Sequence, residues 1–312
     1  MTWLILATIG QFLNAFVAIL DKYLVSDKNT ATPPLRPFVY AFYTCLLTGA
    51  WILVYALGFI PVFARYHVPT LGNVEAPTLV VVSMALLAAY TFFMALVSMY
   101  DALRQADASD VMPVIGAVAG LASFGMNYYF LGGHLSQTFM VGVIFLSLGT
   151  FLVSRALFNF KIALVALHSG IFFAFHYITM KGLFLETNFD NGFFWSRIAF
   201  VGFALSLLMV PAYLEKIKAQ TSATSRRSGA LIIATKVLAG IAAFMLLKAT
   251  DLGDVTVVQA LDGLKYVFII VLGFIFMHFI PDVDDEVHDV QTIFRKIIYI
   301  ALISFGFAIL FV

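Results

Sequence analysis

The stretch Ala230–Leu247 reads ALIIATKVLAGIAAFMLL and contains one charged residue, Lys236. Polar and apolar residues do not alternate along it, as they would in a membrane barrel strand. Its length is close to the roughly 20 residues that cross a bilayer as a helix. Only helices and closed barrels satisfy their backbone hydrogen bonds in lipid. The stretch therefore predicts a membrane-spanning helix.

The whole 312-residue chain has the same character. Apolar residues make up 62% and charged residues 11%, with a mean hydropathy of +0.99, whereas soluble domains average about 25% charged residues. The net charge of +1 argues against nucleic-acid binding. Cys45 is the only cysteine, which excludes an internal disulfide and a cysteine-based zinc site. We expect an all-α polytopic membrane protein with no cofactor, metal site or catalytic residues.

Apolar blocks of similar length recur along the chain, separated by proline, glycine and polar residues. The first block has no basic region typical of a signal peptide and is expected to remain as a span. Two long polar loops are predicted, Glu215–Ser228 and Asp282–Gln291. The ten predicted spans are Trp3–Leu24, Phe38–Ile60, Thr78–Tyr100, Asp110–Leu131, Phe139–Ser154, Ile162–Gly182, Phe193–Leu214, Gly229–Leu247, Val255–Ile280 and Thr292–Phe311.

Two halves of the chain match each other weakly but in the same order. A shift of 159 residues places Ala15-Phe16 on Ala174-Phe175 and Lys22 on Lys181. A shift of 147 residues places the turn that begins at Ala106 on the turn that begins at Gly253, each between a third and a fourth span. We predict two five-helix repeats, residues 1–157 and 158–312. Because five is odd, the second repeat enters the membrane from the opposite face, an architecture that recurs in secondary transporters.

The turn Ala106-Asp-Ala-Ser-Asp-Val-Met-Pro113, its echo at Gly253–Gln259 and the closing span at Gly142–Ser154 resemble the drug/metabolite transporter superfamily. The resemblance is to its ten-helix branch with two EamA-type repeats. It implies a basket of helices around a cavity lined mainly by spans 1, 3, 4, 6, 8 and 9. It also implies that Arg197, near the start of the seventh span, is a candidate gate residue.

Ionisable residues inside spans are costly, and they usually face a cavity or a partner. Asp262 and Lys265 are three residues apart in the ninth span, on neighbouring sides of one helical face. They form either a substrate-binding or proton-coupling pair in the cavity, or a structural pair that allows a polar helix to insert. Lys236 either reaches Asp262 across the cavity or extends to the membrane surface.

Other polar residues in the spans are weaker candidates. His176 is a second candidate for proton coupling, because histidine titrates near neutral pH. Asn14, Tyr90 and Gln259 are candidate substrate contacts, although buried polar residues often only join helices. Lys22 and Lys181, at matching ends of the first and sixth spans, either extend to the membrane surface or form a symmetric pair of cationic gates.

Glycines in the fourth span follow a pattern typical of close helix packing. Gly116 and Gly120 are four residues apart, after Pro113. They predict a smooth face for a neighbouring helix or, alternatively, a hinge. The acidic run Pro281–Asp289 lacks the glycine and ligand spacing of a calcium-binding EF-hand loop and is interpreted as a solvated loop.

Taken together, these features predict a secondary transporter of a small organic solute, such as a metabolite, amino acid or drug. It would work by alternating access and could be proton-coupled, and it is not predicted to be an enzyme. A membrane-embedded lipid or prenyl transferase and a non-transporting membrane subunit are the alternatives. The expected partners are the solute and the lipid bilayer, with a homodimer left open and nucleic acid excluded.

The expected location is the cytoplasmic (inner) cell membrane, with both termini on the same side because the number of spans is even. Loops after odd-numbered spans carry twelve Lys and Arg residues, against four on the opposite side. Positive loops mark the cytoplasm, so this distribution places both termini outside. The family resemblance instead implies cytoplasmic termini, and the orientation stays open at this point.

Overall fold

The computed structural model describes residues 2–26, 34–59, 68–106, 108–134, 136–153 and 160–276, with six further positions between 301 and 309. Within these residues every regular element is helical. Two are 3-10 segments, Ala50–Phe59 and Leu71–Asn73. The α-helices are α1 Thr2–Val25, α2 Pro37–Gly49, α3 Leu79–Gln105, α4 Ala108–Leu131, α5 Gln137–Val153, α6 Phe160–Glu186, α7 Phe189–Leu207, α8 Pro211–Ala223, α9 Arg226–Leu252, α10 Val255–Ala260 and α11 Asp262–Phe276.

Six helical segments among the described residues are long and apolar enough to cross a bilayer. These are α1, α3, α4, α6, α9 and the combined segment Pro37–Phe59. The bent pair of α7 and α8 makes a seventh if it is counted as one span, and α5 contains a shorter apolar stretch. The chain is therefore an all-helical, multi-pass membrane protein, as its composition predicts.

Several helix starts are determined by local sequence. The side-chain oxygens of Thr78, Asn188, Ser225 and Asp254 accept backbone N–H bonds in the first turns of α3, α7, α9 and α10. This N-cap bond satisfies a donor that has no partner within the helix. Proline stands at the start of α2 and of α8, where its missing N–H costs little.

The seventh predicted span and the polar loop after it are corrected by the structure. The prediction extended the span to Leu214 and left Glu215–Ser228 as a loop. Instead α7 ends at Leu207, and Pro211 starts the separate helix α8, which turns by 98° from α7. The physical reason is the extended backbone at Val210 followed by proline, which has no N–H to continue the earlier helix.

The second predicted span differs in detail, and the tenth is described only in part. The second changes from α-helix to 3-10 helix at Ala50, although the two parts still form one apolar segment. The tenth, Thr292–Phe311, lies mostly outside the described residues. Its described positions are helical, and Phe305 packs edge-on against Phe145 of α5 with ring centroids 5.3 Å apart.

The interior is organised by helices that lie far apart in sequence. The most extensive helix pairs are α3 with α6 and α1 with α9, followed by α4 with α6. Alanines such as Ala15, Ala18, Ala88 and Ala174 are fully or almost fully buried. Such small side chains let membrane helices approach closely. This packing places α1, α3, α4, α6 and α9 around a common interior.

Candidate functional site

A cavity of about 110 Å³ lies inside this ring of helices. Its wall comes from α1, α3, α4, α6, α9 and the junction of α10 with α11, with Thr44 of α2 at one point. These helices correspond to predicted spans 1, 3, 4, 6, 8 and 9, the set that the family resemblance implies. Since one water occupies about 30 Å³ of liquid, the space admits a few waters or a small solute.

A buried ion pair joins two distant helices at the cavity wall. Lys236 Nζ of α9 lies 2.8 Å from Asp21 Oδ1 of α1, and both side chains are less than 5% exposed. Tyr40 donates its hydroxyl hydrogen to the same carboxylate oxygen. The ammonium also donates to Tyr100 Oη at 2.9 Å and lies 4.1 Å from the centre of the Tyr40 ring. The two opposite charges and two phenols satisfy one another away from lipid.

This pairing corrects the prediction for Lys236, because its side chain neither reaches Asp262 nor extends to the surface. The prediction also missed Asp21 as a site residue. The signal was present, since an acidic residue stands within the apolar first span. Its partner could not be identified from sequence, because 215 residues separate the two positions.

The second ion pair lies at the break between α10 and α11. The ninth predicted span is interrupted at Leu261, whose carbonyl accepts the Leu264 N–H at 2.9 Å in a tight turn. Asp262 is the first residue of α11, and Lys265 Nζ lies 2.8 Å from Asp262 Oδ1. Both side chains line the cavity. The structure thus forms the intrahelical pair that the spacing predicts, at a position where the helix is discontinuous.

The glycines of α4 pack against this break. A Cβ atom on Gly116 would lie 2.7 Å from Asp262 Oδ2, and one on Gly120 would lie 3.2 Å from Ala260 Cα. Both distances are shorter than ordinary van der Waals contact. Gly116 and Gly120 therefore form the packing face predicted for the fourth span, and the surface they pack against is the α10–α11 junction.

Three side-chain amides complete the polar part of the wall. Gln11 and Asn14 come from α1, and Gln259 comes from the end of α10. The Gln11 side chain is 1% exposed, and its Oε1 has no hydrogen-bond partner among the described residues. A buried unpaired oxygen is costly in the absence of a partner. Gln11 therefore offers an acceptor to a molecule inside the cavity.

Two of the predicted substrate-binding or coupling candidates, His176 and Tyr90, do not line this cavity. His176 is buried on the side of α6 that faces α3, where its Nδ1 lies 2.9 Å from the Ala88 carbonyl oxygen. Tyr90 is 44% exposed and packs on Phe172 and Phe203 at the outer side of the bundle. Their helical positions had suggested access to the interior, but the rotation of α3 and α6 directs them elsewhere.

Arg197 of α7 is also away from the cavity wall. Its guanidinium lies between the rings of Phe193 and Phe200, 4.5 Å and 4.8 Å from their centres. It donates long hydrogen bonds to the Ser196 hydroxyl, and in the described part of the chain no carboxylate pairs with it. Its burial among aromatic rings does not correspond to the open mouth of a gate.

Lys22 and Lys181 bind helix ends. Lys22 Nζ donates to the carbonyl oxygens of Leu103 and Ala106, at 2.8 and 2.9 Å. Lys181 Nζ donates to those of Thr250 and Gly253, at 2.9 and 3.0 Å, and to a third at Asp251. Each ammonium therefore caps the negative end of a helix dipole, α3 in one case and α9 in the other. This is a third role, in addition to the two alternatives derived from the sequence.

The cavity is formally neutral among its described lining residues, because two carboxylates face two ammonium groups. Such a wall can bind an ammonium and a carboxylate of one solute at the same time, while the amides supply hydrogen bonds. A solute with a large net charge would leave one wall charge uncompensated. The arrangement therefore suits a small neutral or zwitterionic molecule.

Comparison with known proteins identifies the fold but not a family. No protein-family model matches the chain, and no curated protein matches it significantly in sequence. Solved structures do match. One of them is a crystal structure whose description, "Crystal structure of protein", names no function. It has a TM-score of 0.60 and 17% sequence identity, with 97% of this chain and 95% of the other covered. The likeness shows a common fold over nearly the whole length.

Proposed function

We propose that the chain is a secondary transporter of a small organic solute, working by alternating access around the cavity described above. The observation that supports this proposal most directly is that ion pairs and amides line a cavity inside a multi-pass helical bundle. Charged groups in such surroundings are energetically costly to bury, and they usually mark a substrate or ion pathway. The cavity favours transport over the alternative of a non-transporting membrane subunit.

The EamA-type architecture of ten helices in two inverted repeats is part of this proposal. It is supported by the two lysine caps. Lys181 lies 159 residues after Lys22, and two of the carbonyls it binds lie 147 residues after those that Lys22 binds. These are the two shifts that align the halves in sequence. If the two halves are repeats with the same local structure, the contact between a lysine and a helix end is expected to recur at equivalent positions in both.

Helix packing supports the same architecture. If α1 corresponds to α6 and α3 to α9, the pair α3–α6 is the counterpart of α9–α1, and these are the two most extensive helix pairs. The cavity lies between them, where both proposed repeats contribute to its wall. In transporters with inverted repeats, substrate sites occupy this position and often include a discontinuous helix, as at Leu261.

The transported solute is proposed to be neutral or zwitterionic, because the ionised lining residues cancel in charge. Asp262 is the proposed proton-coupling residue. Its side chain is 15% exposed, compared with 3% for Asp21, and it lies at the start of α11 beside the helix break. Protonation of Asp262 would release Lys265, which would then be free to bind a carboxylate of the solute.

A flux assay in proteoliposomes tests the proposal. The full chain is reconstituted, and uptake of labelled zwitterionic amino acids, neutral sugars and organic cations is measured with and without a pH gradient. We expect saturable uptake of a neutral or zwitterionic solute, accelerated by the gradient. Asp262→Asn should abolish the acceleration while leaving exchange without a gradient measurable.

The control variant is Asp251→Asn, which removes a carboxylate of another i,i+3 pair, with Lys248, outside the cavity wall. It should keep both uptake and acceleration. Wild-type acceleration in Asp262→Asn would remove Asp262 from the coupling role. Absence of saturable uptake for every solute class would overturn the transporter proposal.

A further inference from the structure

A second pocket, of about 490 Å³, opens at the surface between the segment before α2 and helices α3, α6 and α8. Arg36, Arg104 and Lys216 line it, and all three side chains are exposed. We propose that this pocket binds the phosphate headgroup of an anionic phospholipid of the surrounding membrane. The proposal is independent of any transported solute and needs only the multi-pass membrane fold.

The geometry of α8 puts the pocket at the level of the lipid headgroups. Because α8 turns by 98° from α7, it lies along the membrane surface if α7 crosses the membrane. Its pattern fits this position, since Ile217 is buried while Lys216 and Lys218 are exposed. Arg104 is in the last turn of α3. The pocket thus lies where spanning helices end.

The charge of the pocket suits a phosphate group. Among the described lining residues, three cations come from three separate elements, and Asp101 is the single acidic residue. The N-terminus of α2 at Arg36 has no side-chain cap, so its partial positive charge adds to theirs. Arginine is well suited to bidentate contact with phosphate oxygens. The described lining residues therefore carry a net positive charge, which attracts an anion even with Asp101 present.

The walls distinguish a lipid from a free anion. Phe38, Val97 and Val165 supply apolar surface beside the three cations. Phe38 is held in place by Tyr213 of α8, with ring centroids 4.7 Å apart. A basic rim next to an apolar wall at the membrane surface matches a phosphate headgroup that continues into acyl chains. Inorganic phosphate would use only the rim.

Native mass spectrometry of the purified full chain tests the proposal. The protein is equilibrated in detergent with equal amounts of phosphatidylcholine and phosphatidylglycerol, and the lipid that stays bound is counted. We expect one phosphatidylglycerol to be retained preferentially. The variant Arg36→Ala/Arg104→Ala/Lys216→Ala should lower this retention by about a hundredfold.

The matched control is Lys218→Ala/Arg226→Ala/Arg227→Ala. It removes three exposed cations in α8 and at the start of α9, and none of them lines the pocket. Retention in this variant should stay close to wild type. An equal loss in both triple variants would mean general attraction to a basic surface and would overturn the proposal, as would equal retention in both.

A second variant keeps all charges and fills the pocket. Val165→Trp adds a bulky side chain to the apolar wall, and it should lower phosphatidylglycerol retention without changing net charge. Wild-type retention in Val165→Trp would contradict a site that includes this wall. A competition experiment with excess inorganic phosphate tests the other source of this ligand chemistry. Displacement of the lipid at millimolar phosphate would identify a free-anion site and overturn the assignment to lipid.

Discussion

The two ion pairs of the cavity differ in how the chain forms them. Asp262 and Lys265 lie in one helical turn, and their side chains keep 15% and 9% exposure. Asp21 and Lys236 join α1 to α9, are nearly inaccessible, and are enclosed by Tyr40 and Tyr100. The first pair forms wherever α11 folds, whereas the second exists only after two distant helices have packed. We infer that the cross-helix pair can be broken only at a large cost, because either charge alone would stay buried, whereas the local pair opens more easily.

The largest expected effect comes from breaking the cross-helix pair. Lys236→Ala leaves Asp21 charged and buried without its partner, which typically costs about 3–5 kcal/mol. The measurement is the free energy of unfolding in mixed detergent micelles. The control is Lys248→Ala on the same helix, whose pair with Asp251 is 24% and 20% exposed and should contribute little.

The double variant Asp21→Asn/Lys236→Met sharpens this prediction. It removes both charges, so it should be clearly less destabilised than the sum of its single variants. A Lys236→Ala variant that is no less stable than Lys248→Ala would show that breaking the cross-helix pair is not the costlier change.

A smaller effect is expected where α4 supports the local pair. Gly116→Val places side-chain atoms where the Asp262 carboxylate now lies, and overpacking of this kind costs about 1–3 kcal/mol. The measured quantities are unfolding free energy and solute uptake. The matched control is Gly125→Val on the same helix, since a Cβ there meets nothing within 4 Å. Equal losses in both variants would attribute the effect to helix propensity alone.

The smallest stability effect belongs to the local pair itself. Lys265→Ala should cost less than Lys236→Ala, because Asp262 keeps 15% exposure whereas Asp21 keeps 3%. Its effect on transport should be larger, since it removes a cation from the cavity wall. We expect uptake of a zwitterionic solute to fall much more than uptake of a neutral one. Lys265→Arg, which keeps a positive charge, should retain part of the zwitterion uptake. Equal uptake of both solutes in Lys265→Ala would contradict the assigned role.

The structure contains the predicted ion pair and the predicted packing face, whose decisive geometry is local. Asp262 and Lys265 were paired from their spacing, and Gly116 and Gly120 from theirs, because three- and four-residue intervals place side chains on one helical face. His176 and Tyr90 were misplaced, since helical spacing does not state which way a helix is turned within a bundle. Asp21 was missed as a site residue because its partner belongs to another helix.

The sequence by itself determined the all-helical membrane class, most helix starts and the intrahelical pair, since these depend on hydrophobicity, caps and spacing along one segment. The tertiary structure decided the break at Leu261 in relation to α4 and the cross-helix pairing of Asp21 with Lys236. Their common physical reason is that these features depend on the angle and rotation at which helices distant in sequence pack, and side chains from several helices determine both quantities together.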